Sequence, residues 1–323
     1  MRERPRVVHL TTTDMSLDWL LAPQLRAFID AGYDVVGMSA PGPHVASLEA
    51  AGIRHVALTS LTRSTNPLHD LRAVAQVWRA LRRLRPDIVH THSGKAGVIG
   101  RLAARSARVP VIIHTIHGPS FGDFQGAIAN AIFLRAERIA ARATTHFVVV
   151  ANAMRDQYLR AGIGRPEMFT RIFSGFDLAP FLAANNSAEM RARLGLEPED
   201  FVVGKIARLF KLKGHDDLFA IAPALVAQHP RMKFLFVGDG LWRGRFESMA
   251  RELKLEKHFV FTGLVPPEAV IVREDHRLEP ELGLRAGLAD VQVRRLIAIG
   301  TEEAEAIEAI DRERRRRSPD QAT

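Results

Sequence analysis

The sequence predicts an α/β protein with two doubly wound parallel-sheet domains facing a cleft, the second of them incomplete. Three observations carry that expectation. Short β-branched runs alternate with helical patterns from the first residues onward. The alternation pauses near Ser174-Gly175-Phe176-Asp177 and restarts, and beyond Val270 it fails. Such alternation is the signature of right-handed βαβ units around a parallel sheet, whose ligand sites lie at the carboxyl ends of the strands.

In the first half, Val7 to Leu10 reads as a strand and Trp19 to Ala31 as an apolar-periodic helix ending at Gly32. YDVVGMSAPG (33–42) is a second strand, a helical stretch runs to Ala51, and RHVAL (54–58) is a short third strand. Leu68 to Arg85 is a long helix stopped by Pro86, a residue that cannot continue it. DIVHTH (87–92), a helix from about Ala96 to Ala107, VPVIIHTIHG (109–118), a helix through Ala141 and THFVVV (145–150) complete this half. In the second half FVVGKIARL (201–209), KFLFVGDG (233–240) and HFVFTGL (258–264) are strands, separated by helical patterns over 216–229 and 242–255. Domains are therefore expected at 1–175 and 176–270, with 271–323 a divergent charged tail. In that tail no apolar strand appears until VQVRRLIAIG (291–300), and a helix capped by Thr301 follows.

The 323 residues suffice for two ordinary domains, and 47% apolar with 25% charged residues allows sizeable cores. No apolar run approaches the roughly 20 residues that cross a bilayer. Met1-Arg2-Glu3-Arg4-Pro5 leads straight into a strand and lacks a signal-peptide apolar region. With no cysteine, disulfides and thiolate metal sites are excluded. A cytoplasmic protein is the default expectation. The net charge of +9 suggests an anionic partner, but Arg-rich compositions also arise without one, and part of the excess sits in the tail 311–317.

Several segments have chemistry in them. After the first strand, Thr11, Thr12, Thr13, Asp14 and Ser16 cluster where a helix N-terminus suits a phosphate, although Asp14 or Ser16 as ordinary caps is the simpler reading in isolation. No G-x-G-x-x-G supports a dinucleotide site. His90 and His92 end one strand, His114 and His117 the next, so their side chains are aimed at a ligand cleft. One of them could bind sugar hydroxyls or act as a base. For His90 and His114 the favoured reading is core hydrogen bonding, and a hydrolase-like metal site ranks last because no carboxylate motif accompanies them. Ser93-Gly94-Lys95 is a fragment of a phosphate loop without its flanking residues and reads as a turn before a helix. RLFKLKGHDDL (208–218) gathers Arg208, Lys211 and Lys213 beside Gly214, which lets the chain turn tightly before a helix. A guanidinium and an ammonium over a helix N-terminus can hold a diphosphate without metal; a solvated basic loop is an equal alternative.

Taken together these blocks resemble glycosyltransferase family 4, whose members adopt the GT-B fold of two facing Rossmann-like domains. The resemblance covers 7 to about 268. It is carried by DIVHTH, KAG (95–97), GRLAAR (100–105), VPVIIHTIHG, SGFDLAPF (174–181) and ARLFKLKGHDDL (207–218). It implies that Arg208, Lys213 and Gly214 hold the donor diphosphate and that His117 contacts the transferred sugar or acceptor. It also implies that Asp14 and Ser16 sit in an N-terminal loop near donor phosphates and acceptor. Gly238 and Gly240 would form the turn after a donor-domain strand, with Gly263 and Leu264 bordering the nucleobase. His92 and Lys95 are expected on the acceptor side. The reaction implied is retaining, with no metal or other cofactor and the donor phosphate taking part in proton transfer. The family's two glutamates eight positions apart, which bind donor sugar and ribose, have no counterpart. Glu305 and Glu313 have the spacing but lack the preceding strand and loop. A truncated or frame-shifted product with impaired turnover is therefore expected.

The leading functional expectation is a transferase moving a sugar from a nucleotide sugar to a lipid-linked or polysaccharide-precursor acceptor. The stretch 72–85 also admits a peripheral contact with the inner, anionic face of a membrane. There Val74, Val77, Trp78, Leu81 and Leu84 form a stripe flanked by Arg72, Arg79, Arg82 and Arg83, although a core stripe with solvated arginines is slightly favoured. The alternative is a non-catalytic nucleotide-sugar-binding remnant or interaction module. A nucleic-acid partner is not expected, because no recognition helix or basic–aromatic interleaving is present.

Overall fold

A computed structural model describes residues 4–62, 66–92, 94–122, 124–175, 188–211 and 213–265. Ser93, the segment 176–187 that holds most of SGFDLAPF, Pro266-Pro267-Glu268 and the tail with Glu305 and Glu313 lie outside the described residues. The chain divides into two compact units between Phe176 and Asp177.

The first unit carries a seven-stranded, wholly parallel sheet in the order β3-β2-β1-β4-β5-β6-β7. Its strands are β1 (Arg6–Thr13), β2 (Asp34–Ala40), β3 (Arg54–Ala57), β4 (Ile88–His92), β5 (Val111–Ile116), β6 (His146–Val149) and β7 (Phe169–Arg171). The helices are α1 (Ala22–Asp30), α2 (Val45–Ala50), α3 (Pro67–Leu84), α4 (Gly94–Ser106), α5 (Ala127–Ala141) and α6 (Asn152–Arg160). The central strands bury both faces, which is why they read as unbroken apolar runs. Val8, Leu10, Val36 and Val89 face Ala73, Val77, Leu81 and Ile99 of α3 and α4. Their sequence neighbours Val7, Val35 and Ile88 belong to the opposite core with Leu25 and Phe28 of α1 and Leu48 of α2. Neighbouring strand residues thus feed opposite cores, as the two-residue repeat of a strand demands.

Three details depart from the sequence expectation. The helix expected over Trp19 to Ala31 is split into a π-helical turn (Ser16–Leu20) and α1, because Pro23 occupies the first turn of α1, where its missing N–H costs nothing. Helix α4 begins at Gly94, so Lys95 sits inside its first turn and not in a preceding turn. In α3, Val77 and Leu81 are buried as the stripe predicts, but Trp78 is 39% exposed, and Leu68 and Leu71 stand out at 67% and 68%. Asn66 caps α3 by accepting from Leu68 N and His69 N, and Arg85 closes it in a left-handed conformation.

The second unit holds a parallel three-stranded sheet among the described residues, in the order β10-β9-β8, with β8 (Phe201–Ile206), β9 (Met232–Val237) and β10 (Phe259–Gly263). Around it lie α7 (Ala188–Arg193), α8 (His215–Gln228) and α9 (Arg243–Glu252). Its core is aromatic. Phe219 stacks on Phe259 with ring centroids 4.4 Å apart and on Phe246 at 5.7 Å, and Phe234 and Phe236 complete the cluster.

Candidate functional site

The first unit gathers histidines from the middle of β1 and from the carboxyl halves of β4 and β5. His9 leaves β1 in register with His90 of β4, and His92 pairs with Thr115 of β5. His90 Nε2 lies 2.6 Å from Thr115 Oγ1, and His114 Nδ1 lies 2.9 Å from Thr91 Oγ1, so these two serve the core. His92 is fully buried and does not face solvent. It lies 3.2 Å from His9 (His92 Nε2 to His9 Nδ1) and 3.1 Å from half-buried His117 (His92 Nδ1 to His117 Nε2). Burial drives the pKa of His9 down to about 3 and of His117 to about 4, and that of His92 well below its usual value. These rings are neutral at physiological pH. His9, His90 and His92 each offer a ring nitrogen within 4.8 Å of the others, the geometry of a three-histidine metal set. The fit is poor. No carboxylate belongs to the set, and both nitrogens of His92 are engaged, one with His9 and one with His117, so a dication there would cost one of those hydrogen bonds.

Lys95 is tied down, with Nζ 2.5 Å from Asp70 Oδ1 of α3. Asp14 is buried and caps no helix of its own. Its Oδ2 accepts from His44 N at 2.8 Å, and its carboxylate fills the space where a Cβ on Gly42 would stand, pinning the turn after β2. Ser16 Oγ meets Thr13 Oγ1 at 3.0 Å. Asp18, not singled out by sequence, accepts from Ser47 Oγ and lies 3.0 Å from His44 Nδ1. Its signal was weak because a surface aspartate in a helical turn is ordinary.

Sequence reasoning also missed what holds the chain after His117. Arg101 of α4 and Glu137 of α5 are 0% and 1% exposed and 2.7 Å apart, and Ser120 Oγ donates to the other carboxylate oxygen at 2.9 Å. GRLAAR contains that arginine, but nothing in a single sequence links it to a glutamate 36 positions away.

In the second unit, Arg208, Lys211 and Lys213 are exposed at the carboxyl end of β8 and before α8. Among the described residues none of the three forms an ion pair; the Arg208 guanidinium lies over the Phe210 ring at 4.9 Å. Gly214 (φ 66°) is the N-cap of α8, a left-handed conformation that glycine adopts at little cost. Lys205 of β8, which sequence reasoning passed over, brings Nζ to 3.3 Å from the point a Cβ on Gly214 would occupy. A period-two reading of β8 would have put it on the opposite side from Ile206. The glycines have a backbone role. A Cβ on Gly238 would stand 2.3 Å from Ala207 O, and one on Gly240 would stand 2.2 Å from Leu209 O. Leu209 N donates to Asp239 O, Trp242 N to Leu209 O and Gly238 N to Gly263 O. The glycine turn thus fixes the strand exit that carries Arg208. Leu264 is 58% exposed.

The first unit is thus a parallel sheet with polar groups toward its strand ends, and the second a parallel unit with exposed cations before a helix N-terminus. Residues 20–179 match the family model described as Glycosyltransferase Family 4, and 186–273 match Glycosyl transferases group 1. Over these two stretches the chain is similar to the glycosyltransferases of family 4 and group 1. It is 29% identical over 216 residues to the UDP-Gal:alpha-D-GlcNAc-diphosphoundecaprenol alpha-1,3-galactosyltransferase of Escherichia coli, covering 65% of this chain and 56% of that protein. To the alpha-monoglucosyldiacylglycerol synthase of Acholeplasma laidlawii it is 24% identical over 229 residues, 66% of this chain and 54% of that one. The chain thus spans little more than half the length of these relatives. Anabaena Alr3699/HepE, solved with UDP and glucose, shares the fold with a TM-score of 0.67 at 22% identity, covering 81% of this chain and 70% of its own. Sucrose-phosphate synthase from Thermosynechococcus elongatus gives 0.66 at 20%, covering 83% and 72%. These neighbours have the GT-B fold expected from the sequence. Among the described residues no helix is long and apolar enough to cross a membrane.

Proposed function

We propose that the chain moves a sugar from a nucleoside-diphosphate sugar to a lipid-linked or polysaccharide-precursor acceptor, with retention and without metal. One observation carries the reading: Arg208 and Lys213 are exposed cations without carboxylate partners among the described residues, both in the segment that leads into a glycine-capped helix N-terminus. The helix itself adds little. Asp216 and Asp217 occupy its first turn and already offset its positive end, so the two side-chain cations, helped by Lys205, must supply most of the charge that holds a diphosphate and steadies it as leaving group. His117 would hydrogen-bond the transferred sugar or acceptor, with Asp14 and Ser16 shaping the loop beside it.

A membrane-linked acceptor is supported by the outer face of α3. Leu68, Leu71 and Trp78 share it with Arg72, Arg79, Arg82 and Arg83, all exposed, a pattern suited to lying on anionic headgroups at the cytoplasmic face. The relatives act in the same direction by name, one on a diphosphoundecaprenol and one as a diacylglycerol-lipid synthase. A second reading is a nucleotide-sugar binder with little turnover, which the same exposed cations would serve.

The deciding experiment is thermal unfolding with UDP, GDP and their sugar conjugates. A ligand that binds only the folded state raises Tm. An upshift with one nucleotide, lost in Arg208→Ala and Lys213→Ala, is the expected result; cooperative melting with no shift for any nucleotide refutes the donor site. Product released from a labelled donor, still formed in EDTA and with the donor's anomeric configuration, separates the transferase from the binder.

A further inference from the structure

His117 is the outer end of a string of three imidazoles drawn from neighbouring strands. His9 Nδ1 lies 3.2 Å from His92 Nε2, and His92 Nδ1 lies 3.1 Å from His117 Nε2. His9 and His92 are completely buried, and the inner end of the string, His9 Nε2, has no hydrogen-bond partner. Phe28 closes that side, its ring 5.1 Å from the His9 ring in an edge-on arrangement.

A neutral imidazole donates at one nitrogen and accepts at the other. Two hydrogen bonds through three neutral rings therefore force all the protons to point the same way. In one arrangement every ring carries its proton on Nδ1. His9 donates to His92, His92 donates to His117 Nε2, and His117 is left with an Nδ1–H beyond the string. The bare lone pair of His9 Nε2 is then the buried, unsatisfied atom. In the other arrangement every ring carries its proton on Nε2, and His9 buries an N–H with nothing to accept it. Orphaned buried donors are rarer in proteins than under-satisfied acceptors, so the first arrangement is the stable one. A charged string is excluded by the same burial. A proton taken up at His117 and passed inward would end as a cation on His9, which is completely buried and has no carboxylate at hydrogen-bond distance among the described residues.

We propose that His9 and His92 are positioning residues that lock His117 in its Nδ1–H tautomer, so that it presents a hydrogen-bond donor and not a base. Sugar or acceptor oxygens as the recipient of that N–H rest on the function proposed above; the tautomer does not. The lock also explains why a residue as polar as histidine stands at position 9, within a strand whose neighbours Val7, Val8 and Leu10 are all core.

The test is long-range ¹H–¹⁵N NMR of the full chain labelled in its histidines, near pH 7.5, with His117→Gln to assign the signal. Wild type should show His117 protonated at Nδ1 and bare at Nε2, with a preference of roughly tenfold or more. His92→Leu removes the donor to His117 and should shift it toward Nε2–H. His92→Asn, whose amide nitrogen stands near the Nδ1 position, should restore the wild-type form. Wild-type His117 found as Nε2–H overturns the proposal even if no variant folds. So does a folded His92→Leu in which the His117 tautomer is unchanged. Stoichiometric perturbation of the His9, His90 and His92 signals by added zinc would replace the string with a metal site. None of these readouts requires turnover, so a failed transferase assay would sink the proposed function and leave the tautomer lock standing.

Discussion

The two units solve the problem of presenting polar groups at strand ends in opposite ways. In the first unit the groups are imidazoles sunk between strands, made neutral by burial and linked to one another. In the second they are guanidinium and ammonium groups on an exposed loop, charged and without ion-pair partners among the described residues. Neutral, enclosed donors suit the uncharged hydroxyls of a sugar or acceptor. Exposed cations suit a diphosphate, whose own charge offsets them on binding. The contrast predicts that the two units respond differently to acid, to mutation and to salt.

Acid should have the largest effect, and mainly on the first unit. His9, His90, His92, His114 and His117 all have folded pKa values depressed by burial, against one clear case, His215, in the second unit. The unfolded chain binds these protons at its ordinary pKa of 6.5 while the folded chain refuses them, down to about 4 for His117 and about 3 for His9. Stability contributed by these groups is therefore intact above 6.5 and falls as the pH drops toward those values. Each histidine adds up to about 1.4 kcal/mol per pH unit in that window. Calorimetry at pH 7.5 and pH 5 should show the first unit's transition move down further than the second's; equal shifts would break the comparison.

Next in size is the buried ion pair. Glu137→Gln leaves the Arg101 guanidinium without its charge partner in a fully enclosed site, and a loss of about 3–5 kcal/mol is expected by chemical denaturation. Because Ser120 bonds the same carboxylate, the segment after His117 should loosen as well, visible as faster amide exchange there. The smallest effect belongs to α3. Arg82→Gln and Arg83→Gln together should weaken binding to anionic vesicles by about 1 kcal/mol per arginine and leave Tm unchanged. Equal sedimentation with neutral and anionic vesicles would remove the membrane contact.

Much of this was legible in the sequence, and the boundary has a physical meaning. Strand and helix order follow from periodicity, since strands buried on both faces leave apolar runs such as VVHL (7–10) and VIIHTI (111–116). The basic loop was legible for the same reason, because Arg208, Lys211, Lys213 and Gly214 are adjacent in sequence. What could not be read is whatever depends on distant pairs. His9 was overlooked since a lone histidine in an apolar strand carries no signal until His92, 83 positions later, is laid beside it. Arg101 and Glu137 are hidden in the same way. Gly238 and Gly240 were recognised as a turn, but that their bare Cα atoms make room for the carbonyls of Ala207 and Leu209 is a three-dimensional fact.

That close approach has a thermodynamic consequence for binding. The backbone at Arg208 is clasped on both sides, with Ala207 N bonded to Val237 O and Leu209 N to Asp239 O, so its conformational entropy is surrendered when the unit folds and not when a ligand arrives. Only the arginine side chain remains to be ordered, at a cost of up to about 2 kcal/mol. Among the described residues no such backbone clasp holds Lys213, so more of its ordering is left to the moment of binding. The two cations therefore differ in what they withhold from affinity, with Arg208 the more efficient anchor for each hydrogen bond it makes.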